Sequence, residues 1–446
     1  MALQRPKPPG TLTTSRSSAG YVLGLLFVGN LLNYYDRALP SVVLEPIKDE
    51  YGLGDTEVGV LASAFVLVAA VAGVPLGRLA DRAARRAVAG WGLIVWSAAT
   101  AAGGVLTSFW GFLASRVGVG VGESSYAPAT GSLLSDLYPS ERRSRAHSLF
   151  MLGFPIGTLL AFFTAGGLAV AFDSWRAPFL IAAVPGFVVG FLVLRLREPE
   201  RGAAEPTRVD ATAPRGDRRK SLLSLLRVRS LYGMLLAFAG YNFAAYAIGT
   251  FLTPVLQRYY GLGLVSAGAV GGVVVGVTGL VGLLAGGRVL DRAARRSPAA
   301  RVRVAALSLV GAAVFSLGGL AAGQDALWQL LVFLSLGYLL GIVYLAAAVP
   351  AVSDVIGPEH RSGALGLMFA IGYLLGGAAG PVFVGALSDS LAAGSASASE
   401  ASAHGLQTAM MITVPLAFAV AAIGMLLTSR FVEADRDAML ARETTA

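Results

Sequence analysis

The sequence predicts an all-α membrane protein, with twelve transmembrane helices in two pseudo-symmetric six-helix bundles. Three observations predict it: long apolar runs, the side on which the basic residues fall, and two internal echoes placed six helices apart.

Hydrophobic residues make up 55% of the 446-residue chain and charged residues only 14%. A water-soluble domain needs more charge than that to cover its surface. The charges are also bunched, and the apolar runs between them reach the ~20 residues that a helix needs to cross a hydrocarbon core of ~30 Å. Inside lipid only helices or closed barrels satisfy the backbone, and the short alternating segments of a barrel are not found in the sequence. Spans are expected near 20–44, 56–77, 87–107, 110–136, 144–170, 177–197, 230–257, 266–288, 301–322, 326–354, 363–390 and 407–430.

A formal net charge of +9 raises the question of nucleic acid, and the location of the charge answers it. Lys48, Arg176 and Arg258 fall on one side of the expected membrane, and Arg37 and Arg116 fall within spans; setting these five aside, the other 30 of the 35 Lys and Arg lie on the side of both chain ends. Such an excess marks the cytoplasmic side, so both termini are expected in the cytoplasm and the protein in the inner membrane. Nucleic acid is therefore not an expected partner. With no cysteine in the chain, disulfides, thiolate catalysis and cysteine metal sites are excluded. His147, His360 and His404 are scattered near loops, so no metal is expected. The glycine-rich stretch 268–279 lacks the Lys-Ser/Thr ending of a phosphate loop. The chain is expected to be no enzyme and to hold no cofactor.

Residues 1–19 read as a basic cytoplasmic tail, 20–197 and 230–430 as the two bundles, 198–229 as a cytoplasmic linker and 431–446 as a second tail. A cleaved leader is not expected, because the first apolar span runs on through Asn33, Tyr34, Asp36 and Arg37. Within the linker, Lys220–Arg229 alternates apolar pairs with basic residues, as a short helix lying on the membrane surface would.

The two bundles echo one another. Leu76–Arg86 (LGRLADRAARR) and Gly286–Arg296 (GGRVLDRAARR) agree at eight of eleven positions. Ser135-Asp136 followed by Glu141, Arg143, Ser144 and Ala146 returns as Ser353-Asp354 followed by Glu359, Arg361, Ser362 and Ala364. An even number of spans between copies preserves orientation, which makes this a parallel repeat about an axis along the membrane normal. The element Gly77-x-Leu79-Ala80-Asp81-Arg82 with Arg85-Arg86 resembles the loop between helices 2 and 3 of the major facilitator superfamily, and its second copy falls between helices 8 and 9. That resemblance implies the major facilitator fold and transport by alternating access.

Charges inside the spans are the sharpest functional signal. Asp36 and Arg37 lie in helix 1, Arg116 and Glu123 in helix 4, whereas helices 7 to 12 carry none until their ends. Each costs about 2.5–3.5 kcal/mol at the bilayer centre even on an insertion scale. The four must therefore line a cavity or pair with one another, and Arg116 and Glu123, two turns apart, share a helix face. A carboxyl in a dry cleft beside a guanidinium can exchange a proton as its partner moves, so Asp36 or Glu123 is expected to couple protons to transport. A static ion-pair network that only orients helices 1 and 4 is the competing reading, and buried pairs are weak stabilisers.

Asn33-Tyr34-Tyr35-Asp36-Arg37 and Ser115-Arg116-Val117-Gly118-Val119-Gly120-Val121-Gly122-Glu123-Ser124-Ser125-Tyr126 resemble the helix 1 and helix 4 signatures of Spinster-type transporters, with Phe109-Trp110 and Trp96–Thr100 adding to the likeness. The resemblance implies export or exchange of a lysophospholipid or of a sphingoid lipid such as sphingosine-1-phosphate, linked to protons, with Asp36, Arg37, Arg116 and Glu123 as the polar core. Sugar-acid symporters share the four charges and stand as the alternative, with a multidrug exporter and a lipid sensor behind. An acyl chain needs an apolar, aromatic wall, and helices 7, 10 and 11 offer one. The substrate site is expected to combine Asn33, Tyr34, Ser124 and Tyr126 with Tyr241, Asn242, Tyr246, Tyr344, Met368 and Tyr373. Asp81, Arg85 and Asp136, repeated as Asp291, Arg295 and Asp354, are expected to form cytoplasmic gates whose breaking favours the inward-open conformer. The expected partners are a small amphiphile, protons and the bilayer, and a monomer is expected because one chain holds both halves of a path.

Overall fold

The computed structural model describes residues 16–200, 225, 228–393 and 398–445; most of the linker, with all but three residues of the expected surface helix Lys220–Arg229, lies outside them. The described residues contain helices and no strand. Counting a broken run as one helix, each expected span has a helical counterpart. Helix 1 is Arg16–Val42, helix 2 Asp55–Arg82 and helix 3 Arg85–Gly103. Helix 4 runs Phe109–Ser124 and Tyr126–Leu137, helix 5 Ser140–Met151 and Gly153–Ala171, and helix 6 Ala177–Leu194. Helix 7 is Arg229–Arg258. Helix 8 is Leu264–Ala294 with a π-helical stretch Gly272–Val277, helix 9 Pro298–Leu320 and helix 10 Leu327–Val355. Helix 11 joins Pro358–Ile371, a π-helical Gly372–Ala378 and Ala379–Ala392, and helix 12 is Ala398–Thr445.

Among the described residues nine of these are long and apolar enough to cross a membrane. The three that fall short are helices 1, 3 and 4. Helices 1 and 4 carry the buried charges, and helix 3 opens on Arg85-Arg86. Helix ends follow local chemistry. Ser108 and Ser297 cap helices 4 and 9 by accepting from the Gly111 and Ala300 amides. A short extra helix, Leu44–Tyr51, stops at Gly52, whose φ of 63° is the left-handed conformation that glycine adopts freely.

Packing repeats between the halves. Helix 3 packs on helices 4 and 6 as helix 9 does on 10 and 12, and helix pairs 1–5 and 2–4 recur as 7–11 and 8–10. The echoes acquire a structural meaning here. Arg143 Nη2 donates to the Ser135 carbonyl at 2.9 Å, and Arg361 Nη2 to the Ser353 carbonyl at 3.2 Å, each tying the start of one helix to the end of the one before.

The halves meet along helices 2 and 11, 5 and 8, and 1 and 7. Contact is closest far from the face that carries the chain ends; call that near face terminal and the far face distal. There a Cβ on Gly59 would strike the Pro381 carbonyl, and one on Gly385 the Asp55 carbonyl. Toward the terminal face, Ser140–Met151, Thr278–Ala294 and Pro358–Ile371 pack chiefly on helices of their own half. The seam is thus closed on the distal side and loose on the terminal side.

Candidate functional site

Helix 1 presents Asn30, Asn33 and Asp36 at helical spacing, and all three are buried. Asn30 anchors the face by donating to the Phe150 carbonyl of helix 5 at 2.9 Å. From helix 4, Glu123 reaches Arg37, with Arg37 Nε to Glu123 Oε2 at 2.6 Å. The Glu123 side chain is fully buried and that of Arg37 is 29% exposed, so this pair straddles the boundary between packed interior and open space. The Arg37 guanidinium lies 4.8 Å from the Tyr34 ring centre and 5.2 Å from that of Phe65, cation–π contacts that hold its plane in place.

Arg116 sits deeper. It is 4% exposed, 5.3 Å from the Phe179 ring and 5.7 Å from Phe112, and its Nε and Nη2 have no hydrogen-bond partner among the described residues. Asp36 faces Glu123 and Arg116 electrostatically and is bordered by Trp96 and Thr100 of helix 3. The structure therefore brings all four charges together in one half. With both carboxylates ionised the cluster is neutral. One added proton leaves it with a single positive charge in a medium of low dielectric, where an anion is strongly favoured.

Across the seam the other half supplies rings. Tyr241 and Tyr344 pack at 5.4 Å between centroids, Tyr246 and Tyr373 at 6.4 Å, and Phe238 joins Phe369 at 5.4 Å. Tyr246 and Tyr373 are the members within electrostatic reach of Arg37 and Tyr34, so these two rings lie toward the charges. Met368, an expected ligand, is fully buried. Asn242 turns back on its own helix, donating to the Phe238 carbonyl at 2.7 Å.

Two expected ligands are placed otherwise. Tyr126 is 1% exposed; its hydroxyl donates to the Leu26 carbonyl at 2.9 Å and its ring meets Trp96 edge-on at 5.3 Å. The break in helix 4 at Ser125 turns Tyr126 into the bundle core, where it ties helices 1, 3 and 4 together instead of facing substrate. Ser124 spends its hydroxyl on the Val121 carbonyl at 2.8 Å.

The first gate forms its expected Arg85–Asp136 pair and the second differs from expectation, and both pairs are intact while the seam is loose on this face. Arg85 is 1% exposed and bonds Asp136, Glu198 at 2.9 Å and Ser132 at 3.0 Å, all within its own half. Burial pushes the Glu198 carboxyl up, but the Arg86 and Arg85 amides and the Arg85 guanidinium outweigh it and hold that group below the ordinary carboxylate range. In the other half Asp354 pairs with Arg301, while Asp291 and Arg295 are exposed. The repeat fails at Arg295 because helix 9 starts only at Pro298, so a residue in its first turn is the one that reaches Asp354. Of Asp81 the structure describes the backbone helix alone.

The distal face holds a network that the sequence reading did not assign. Arg258 forks onto Glu45 at 2.6 and 2.9 Å and reaches Asp55 at 2.9 Å; Lys48 meets Asp55 at 2.7 Å. Arg176 bonds Glu50 at 2.6 Å and holds its carboxyl below the usual range. A signal for it was present: Lys48, Arg176 and Arg258 are the three basic residues retained against the charge bias, and each is engaged in an ion pair.

Comparison with known proteins agrees with this architecture. The Major Facilitator Superfamily profile matches residues 26–381. The chain is 34% identical over 374 residues to an MFS-type efflux pump of Mycolicibacterium smegmatis, covering 83% of this chain and 84% of that protein. It is 27% identical over 438 residues to the sphingosine-1-phosphate transporter SPNS2 of Danio rerio, covering 93% and 84%. A solved bacterial homologue of the human lysosomal transporter Spinster, in an inward-facing and unoccupied conformation, superposes with a TM-score of 0.85 at 24% identity, covering 95% of this chain and 99% of that one. The chain belongs to the Major Facilitator Superfamily and is a Spinster-like, multi-pass membrane transporter within it.

Proposed function

We propose that the protein is a proton-coupled transporter of an anionic amphiphile, a lysophospholipid- or sphingosine-1-phosphate-like lipid, in the inner membrane, with its terminal face in the cytoplasm. The observation that carries this reading is the partly open Arg37, paired with a fully buried Glu123 and set against the tyrosine wall of the opposite half. In the resting protein Glu123 neutralises Arg37. A proton on Glu123 releases that guanidinium, and an anionic headgroup takes the carboxylate's place while its acyl chain lies along Tyr246, Tyr373 and Phe238. Neutrality of the cluster then links one proton to one headgroup charge, since either ligand favours the other by the same factor. Helices 7 to 12 add no charge to the wall, which suits a chain better than a polyhydroxy acid.

A second reading, export of drug-like amphiphiles, is favoured by the likeness to an MFS-type efflux pump. Flux in proteoliposomes under an imposed pH gradient separates the readings, with lysophospholipid, sphingoid phosphate, a galactonate-like acid and a cationic dye measured in parallel. The proposal expects lipid flux that collapses in Glu123→Gln. Dye flux without lipid flux replaces it by drug export, and sugar-acid flux alone replaces it by organic-anion symport.

A further inference from the structure

We infer that Asp389 caps helix 2 from the opposite half and, with Arg258, forms a latch that sets the resting conformation. Helix 2 starts at Asp55, and its N-cap position is Gly54, which has no side chain to offer. The first amides of a helix need acceptors. Those of Asp55 and Thr56 find them on Asp389, at 3.0 and 2.8 Å, and the Thr56 hydroxyl adds a third bond at 2.5 Å. Asp389 stands near the end of helix 11, so the cap exists only while the distal seam is shut.

Gly54 is part of the device. A Cβ built on it would lie 3.1 Å from Asp389 Oδ2 and 2.7 Å from Glu57, so a larger capping residue would crowd the carboxylate that does the capping. With the amides satisfied from outside, the Asp55 side chain is free to turn the other way. There it accepts from Ser388 at 2.7 Å and from Arg258 at 2.9 Å, both in the opposite half, and from Lys48 in its own. Arg258 completes the latch through Glu45. On the terminal face the ion pairs of Arg85 and Arg301 each stay within one half. Among the described residues, the charge–charge and cap interactions that bridge the halves thus lie on the distal side, and they favour the conformer that opens to the terminal face.

The chain has no cysteine, so single thiols report on the seam without background. Ser63 is 3% exposed and bonds the Ala378 carbonyl across the helix 2–11 contact; Ser97 is fully buried inside one half. Maleimide labelling of purified S63C and S97C, without substrate, is compared with and without Asp389→Ala or Arg258→Gln. Arg258→Gln leaves Asp55 its Lys48 and Ser388 partners, which guards against unfolding. The Asp389 variant is expected to speed S63C labelling roughly fivefold, the scale of a lost cap, and Arg258→Gln about two- to fivefold, the scale of a lost ion pair, and both to leave S97C protected. Unchanged S63C labelling in both variants overturns the latch, as does an equal rise at S97C. The assay involves no substrate, so its result is independent of the proposed transport reaction.

Discussion

The two halves share a scaffold and divide the chemistry. Helices 1 and 4 gather buried Asp36, Arg116 and Glu123 with the partly open Arg37, whereas helices 7 to 12 face them with tyrosine and phenylalanine. Packing partners repeat helix for helix, and so do the Arg143 and Arg361 ties. Duplication therefore accounts for the frame, and the division of charges and rings between the halves is what the proposed substrate would read. An amphiphile has the same asymmetry, with a charged head and an apolar tail.

The comparison can be broken at either end. Removing the titratable group should have the largest effect: Glu123→Gln is expected to lower gradient-driven flux about 100-fold, near the top of the range for one coupling free energy. Downhill exchange without a gradient should persist in that variant, and its loss in equal measure would point to misfolding. Arg37→Gln, measured by binding in detergent, is expected to weaken the headgroup by roughly 10- to 100-fold, the value of a charge-assisted hydrogen bond. Tyr246→Ala, which removes a ring that the acyl chain lies along, should cost about 3- to 10-fold in affinity for the phosphorylated lipid and for an uncharged analogue of equal chain length alike. Tyr126→Phe sharpens the placement of that residue as a core tie. It should lower stability by roughly 1 kcal/mol and leave KM unchanged, since it removes one buried hydrogen bond between helices 1 and 4. The smallest effect concerns pH. The Glu198 carboxyl is depressed, so its stabilising bonds are intact above the ordinary carboxylate range and lost as pH falls through its folded value. In Glu198→Gln the fall in Tm below about pH 4 should be shallower.

Much of this was legible in the sequence, for physical reasons. Apolar runs and one-sided arginines are forced by the bilayer, so span positions and the repeat could be read directly. Buried charges are expensive, so Asp36, Arg37, Arg116 and Glu123 stood out and the structure gathers them. Side-chain direction was harder. Tyr126 lies beside Ser125, where helix 4 breaks, and no periodic pattern reports a break of that kind. Arg301 replaces Arg295 because pairing depends on where helix 9 begins, which the echo of Arg85 in the sequence does not encode. Asp389 was invisible for a related reason. It caps a helix more than 300 positions away, and a cap supplied from another helix leaves no local motif.

The central claim is that one proton and one anionic headgroup enter a neutral cluster together. Purified protein in weakly buffered detergent solution, titrated with a lysophospholipid or a sphingoid phosphate, reads this directly as proton uptake. The account predicts about one proton taken up per molecule bound, abolished in Glu123→Gln while binding remains. Saturable binding of the anion by the native protein with no proton uptake would contradict it.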